Sequence, residues 1–185
     1  MKLNLGCGSD RMDGWINADK YESGATDEIV DLEVTPWPWP DNCVKEVMLR
    51  HVLEHLGQNP AVYLEIIKEL YRVSKNGAKI TIIVPHPRHD HYLNDPTHVR
   101  PITAEGLQMF SLKKNKEWHK KKLANTPLAE IAHVDFEIEA VNYVPDEPWR
   151  GKIMRREMTM PQLMEAAKMY NNVISEINIV LKAVK

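Results

Sequence analysis

The sequence predicts an α/β fold: a mostly parallel sheet with helices on both faces and an antiparallel edge strand. Three patterns carry this expectation. Short apolar strands alternate with turns and a helix through the first half of the chain, as a parallel sheet requires. Ile80 to Val84 is apolar nearly throughout, as in a strand covered on both sides. From Val134 to Val144 and from Ile174 to Val184, apolar residues fall at every second position, as in strands with one wetter face near the edge of a sheet.

The 185 residues suit one domain, 1–185, with inserts at about 86–132 and 145–172. A hydrophobic share of 43% supports a packed core rather than disorder. A formal charge of -2 argues against a surface built for nucleic acid or an anionic membrane. Cys7 and Cys43 suggest neither a disulfide framework nor a zinc knuckle, so a reducing cytoplasm is expected. No signal peptide and no membrane-spanning run is read.

Lys2 to Leu5 is the first strand and stops at Gly6. Ser9 to Gly14 is polar and lacks a helical period, so it reads as a loop. Strands follow at Trp15 to Asp19 and about Glu28 to Leu32, each with an acid near its end. Pro36-Trp37-Pro38-Trp39-Pro40 must be extended, because proline fixes its own φ and biases the preceding residue away from helix. Val44 to Arg50 is a fourth strand. Asn59 and Pro60 open a helix with an apolar stripe at Val62, Ile66, Leu70 and Val73, and Asn76-Gly77 is expected to close it. A further helix is read at about Pro161 to Tyr170, where the methionines from Met154 to Met169 fill gaps or serve a homodimer contact.

Gly6-Cys7-Gly8 lets backbone approach a ligand closely. A dinucleotide fingerprint would continue to a third glycine opening a long helix, with an acid about 20 residues on. Here Ser9 to Gly14 opens no helix, and Asp19 comes early. A pyrophosphate would lack its helix N-terminus; a cofactor without phosphate loses less.

KLNLGCG at 2–8, WINAD at 15–19, Asp31-Leu32, PWPWPDN, HVLEHL at 51–56 and YRVSKNGAKITIIVP at 71–85 together resemble class I S-adenosylmethionine-dependent methyltransferases, which have a Rossmann-like fold. The likeness is to a small type 11 group. It implies an enzyme using S-adenosyl-L-methionine. It also implies that Gly6, Cys7 and Gly8 wrap the methionine and ribose, that Asp19 takes the ribose diol, and that Asp31 and Leu32 sit at the adenine. Asn4 stands where the family carries an acid near the methionine ammonium, and His51 would lie beside the sulfonium.

The acceptor expected is a sugar or glycan hydroxyl, or another small polar molecule. In open α/β sheets ligands bind outside the carboxyl ends of strands, which brings the histidine-rich loop after Val84 to the pocket. There His98 is read as a base, Asp95 as its orienting partner and Arg100 as a grip on an anionic substrate group. The plain alternative has Asp95 and Thr97 shaping a turn while His98 plugs the insert onto the core. No metal is expected: His89-Asp90-His91 point apart on an extended loop, and no spacing matches a zinc pattern. The lysines from Lys113 to Lys122 around Trp118 read as a solvated surface rather than a nucleic-acid site. Two rival functions remain, a nicotinamide-dependent oxidoreductase and a non-catalytic adenosyl-binding or scaffold protein.

Overall fold

A computed structural model describes residues 1–185. In chain order the elements are β1 (Lys2–Leu5), β2 (Ile16–Asp19), β3 (Glu28–Ile29), β4 (Val44–Arg50), a 3-10 turn (Leu53–His55), α1 (Pro60–Val73) and β5 (Ser74–Pro85). The segment after β5 folds as short helices α2 (Asp90–Leu93), α3 (Ala104–Leu107), α4 (Leu112–Lys120) and α5 (Leu128–Ala132). The chain closes with β6 (Phe136–Pro145), α6 (Trp149–Met154), α7 (Met160–Met169) and β7 (Ile174–Ala183). No helix is long and apolar enough to cross a membrane.

One seven-stranded sheet has the order β3-β2-β1-β4-β5-β7-β6. Neighbours from β3 through β5 are parallel. β7 runs antiparallel to both β5 and β6, so the reversal lies one place in from the outer strand β6. Asp19, Arg50 and Pro85 therefore end their strands on one rim of the sheet, and β7 starts there.

Register explains the burial. Leu3, Val47, Ile80 and Leu181 lie side by side across the sheet, as do Leu5, Leu49, Ile82 and Ile179. All eight are buried. They join Tyr63, Ile66, Ile67 and Leu70 of α1, Leu107 of α3 and Ala132 of α5 in the main core. The opposite face carries Met48, Thr81 and Val180 in mutual register, with Ile83 opposite Asn178, all partly exposed. α1, α3 and α5 thus pack against the buried face. The connections β1 to β2 and β2 to β3 cross without a helix.

α1 starts as its sequence dictates, with Asn59 Oδ1 accepting from the Ala61 N–H at 2.9 Å and Pro60 at the first turn. It ends three residues sooner than Asn76-Gly77 suggested. Ser74 is already extended and its Oγ donates to Leu70 O at 2.7 Å. Gly77, at φ +77, serves instead where the β4–β5 register shifts. α7 is capped by a reciprocal Thr159–Gln162 box and buries Leu163, Ala166 and Ala167 on Val173 and Ile174. The methionines fill gaps less than expected: Met158 and Met164 pack there, whereas Met154, Met160 and Met169 are exposed.

Candidate functional site

The loops after β1 to β4 surround a cleft of about 300 Å³ at the carboxyl rim of the sheet. Val30, Leu32, Val52 and Leu56 supply an apolar wall, and Asp19, Asp31, His51 and His55 a polar border.

Gly6 forms the floor. It sits at φ +65, and a Cβ there would overlap the Val52 side chain. Both constraints exclude a side chain. The N–H groups of Gly6 and Cys7 donate to Ala18 O at 2.8 and 3.1 Å, tying the loop to β2. Asp19 completes the clamp: Oδ2 accepts from the Gly8 N–H and Oδ1 from the Tyr21 N–H, each at 2.9 Å. A carboxylate retains acceptor capacity beyond these two bonds. Gly8 also has positive φ, +52, with open space where its side chain would be.

Asp31 and Leu32 line the same cleft. Leu32 is fixed from behind by the tryptophan segment: the buried Trp37 donates its Nε1–H to Leu32 O at 3.1 Å. The buried Trp39 donates to Glu28 Oε2 at 2.9 Å.

Asn4 and Cys7 lie on the far side of Gly6, in an adjoining cavity of about 490 Å³ that also holds Arg50. Asn4 is buried, with Nδ2 donating to Asp10 O at 2.8 Å and Asn17 Oδ1 at 3.0 Å. It therefore holds the loop after β1 and does not reach the Asp19 cleft. The Cys7 thiol is turned toward Thr26, 3.9 Å away, and burial raises its pKa. Asn17 is held in turn by Asp27, whose Oδ2 accepts from the Asn17 backbone and side chain at 2.9 and 2.8 Å.

His51 adopts a left-handed φ of 53 and is half exposed. Its Nδ1 lies 3.5 Å from Glu54 Oε1 and its Nε2 3.3 Å from Glu176 Oε2. Glu54 is the larger influence, and the two carboxylates together raise the imidazole pKa against the opposing effect of burial. The Glu54 contact is long and electrostatic, and neither of its carboxylate oxygens has a hydrogen-bond partner.

The 3-10 turn and the post-β5 insert are bound together, since the N–H groups of Val99 and Arg100 both donate to Glu54 O. Asp95 does not orient His98. Asp95 Oδ1 accepts from the Thr97 hydroxyl at 2.6 Å and from the Thr97 N–H at 2.8 Å, whereas its Oδ2 is 3.8 Å from His98 Nε2. Because the Thr97 proton goes to Asp95, His55 Nδ1 must be the donor in its 3.0 Å bond to Thr97 Oγ1. Asp95 thus acts through Thr97 on His55, which with His51 lines the cleft. His98 is almost wholly buried, stacked on Tyr92, with Nδ1 donating to Tyr92 O at 2.8 Å. Arg100 also turns away from the cleft: it stacks over the Tyr63 ring at 4.1 Å and donates to Gly57 O. It has a packing partner where a substrate grip was expected.

His89 is buried and bonded to Asp146 at 2.9 Å, so the His89-Asp90-His91 run pins the insert to the end of β6. His55 and Arg50 were missed. His55 belongs to the HVLEHL block and Arg50 ends the fourth strand, the signals that could have marked them.

The order β3-β2-β1-β4-β5-β7-β6, its single reversed strand and a glycine loop at the carboxyl rim decide the architecture. The fold is that of class I methyltransferases. No family model and no curated protein matches the chain. Solved structures with this methyltransferase fold superpose along nearly its whole length. A S-adenosylmethionine-dependent methyltransferase from Archaeoglobus fulgidus is 18% identical, with a TM-score of 0.63 over 98% of this chain and 85% of that one. The 1,6-didemethyltoxoflavin-N1-methyltransferase of Burkholderia thailandensis, solved with bound 1,6-didemethyltoxoflavin and S-adenosylhomocysteine, is 12% identical, with a TM-score of 0.54 over 100% and 71%. The [4+2]-cyclase SpnF also superposes, at 15% identity and a TM-score of 0.53 over 99% and 75%. The methyltransferase fold therefore does not by itself fix the reaction.

Proposed function

We propose that the cleft binds S-adenosyl-L-methionine and that the protein is a methyltransferase acting on the oxygen of a sugar or other small polar acceptor. The observation that carries this reading is the cradle: Gly6 has no room for a Cβ and Asp19 clamps the loop at Gly8. No helix begins there to receive a pyrophosphate, which disfavours a nicotinamide dinucleotide. The adenine lies against Val30, Asp31 and Leu32, and the ribose diol donates to Asp19. The methionine portion passes over Gly6 toward the adjoining cavity, where Arg50 meets its carboxylate and Asn4 and Cys7 shape the wall. His51 faces the sulfonium side. The acceptor enters from the side of His55, with His98 behind it.

The chemistry asked of the chain is positioning and proton removal. The sulfonium–carbon bond breaks as the new carbon–oxygen bond forms, and the acceptor proton passes to an imidazole at the rim, His51 or His55. The test is transfer of radiolabelled methyl from S-adenosylmethionine to a panel of sugars and small polyols. Label incorporation that falls at least tenfold in Asp19→Ala is expected. Cofactor binding without incorporation into any acceptor is the result that favours a non-catalytic adenosyl-binding protein.

A further inference from the structure

We propose that Glu54, His55 and His98 form a site for one divalent transition-metal ion of the zinc type, set at the rim of the cleft. One donor atom from each lies within 4.8 Å of the others. Two ring nitrogens and one carboxylate oxygen suit zinc, cobalt or ferrous iron, and leave coordination positions for an oxygen ligand.

Geometry alone does not distinguish this cluster from an incidental one. The first distinguishing observation is Glu54. Its side chain is 1% exposed, yet neither carboxylate oxygen has a hydrogen-bond partner. A buried carboxylate without partners is costly, and a cation is what it lacks. His51 Nδ1, at 3.5 Å from Oε1, meets that need only in part.

The second is how the histidines are held. His98 Nδ1 donates to the carbonyl of Tyr92, and His55 Nδ1 donates to Thr97 Oγ1, itself fixed by Asp95. Each ring therefore carries its proton on Nδ1 and keeps the Nε2 lone pair free. Metal-ligating histidines are oriented in this way, with the far ring nitrogen bonded to a carbonyl or a carboxylate-backed group. Asp95 Oδ2, at 3.8 Å from His98 Nε2, is too distant to hold a proton on that nitrogen. Bonds of about 2.0–2.1 Å require the donors to draw together by roughly 1–1.5 Å on binding.

The metal site stands on these residues alone. Its use, holding an acceptor by an oxygen beside the methyl donor, rests on the function proposed above. With His55 and His98 engaged as ligands, His51 is the imidazole left to take the acceptor proton.

The experiment is a Co²⁺ titration of chelator-treated protein, followed by visible absorption, with competition by Zn²⁺. One Co²⁺ per chain is expected, displaced by Zn²⁺, with binding at least tenfold weaker in His55→Ala and in His98→Ala. Thr97→Val, at an exposed position whose loss spares the core, is expected to weaken binding about tenfold through His55. Absence of cobalt binding, or binding undiminished in both histidine variants, overturns the proposal. S-adenosylhomocysteine affinity is measured alongside on the wild type. Cobalt binding without nucleoside binding keeps the metal site and removes the methyltransferase reading; the reverse removes the metal site alone.

Discussion

The glycine cradle and the histidine rim border one cleft but are built in opposite ways. The cradle is made of backbone and strand ends: Gly6 and Gly8 follow β1 and Asp19 ends the neighbouring β2, with Gly6 and Cys7 tied to Ala18 O and Gly8 to the Asp19 carboxylate. The rim is made of side chains from two distant segments, the Leu53–His55 turn and the insert after β5, joined at Glu54 O and Thr97. Changes to the cradle are therefore expected to act on nucleoside binding, and changes to the rim on metal and acceptor.

Gly6→Ala tests the contrast most severely. The new methyl meets Val52 and the φ is unfavourable, so a loss of about 2–4 kcal/mol in stability is expected, with nucleoside binding abolished. Thermal unfolding and calorimetry measure both. Asp19→Ala releases Gly8 without overpacking, and S-adenosylhomocysteine affinity should fall about 10–100-fold with the fold retained. Arg100→Ala removes the Tyr63 stack and the Gly57 bond; it should cost about 1–3 kcal/mol in denaturant unfolding and leave nucleoside affinity unchanged. An affinity loss there would join the two regions that the structure separates.

The smallest expected effect is on pH. The Asn17 backbone and side-chain N–H groups, then Arg11, hold the Asp27 carboxyl down from its ordinary 3.8 to about 2. The folded state thus holds this proton less tightly than the unfolded chain. The contribution is fully present above pH 3.8 and is lost as pH falls toward 2. Asp27→Asn should flatten the acid limb of a Tm against pH curve and loosen the loop beneath Asn4.

The same contrast explains what could be read in the sequence. Strands β1, β2 and β4, the Asn59 cap and the glycine loop each follow from a few adjacent residues, and the structure keeps them in place. The acids at 19 and 31 were legible because they end or follow short strands. The rim was not. His98, Asp95 and Arg100 looked like a working set because they are close in sequence, yet Asp95 reaches His55 through Thr97 and Arg100 turns to Tyr63. Glu54, His55 and His98 converge only when the insert folds back on the 3-10 turn, and no spacing rule encodes that.

The most direct test of the account is calorimetric titration of the wild-type chain and Asp19→Ala with S-adenosylhomocysteine, with NADH as control. The account predicts one micromolar site for the nucleoside, weakened about 10–100-fold by the substitution, and no binding of NADH. Tighter binding of NADH, or nucleoside affinity indifferent to Asp19, would contradict it.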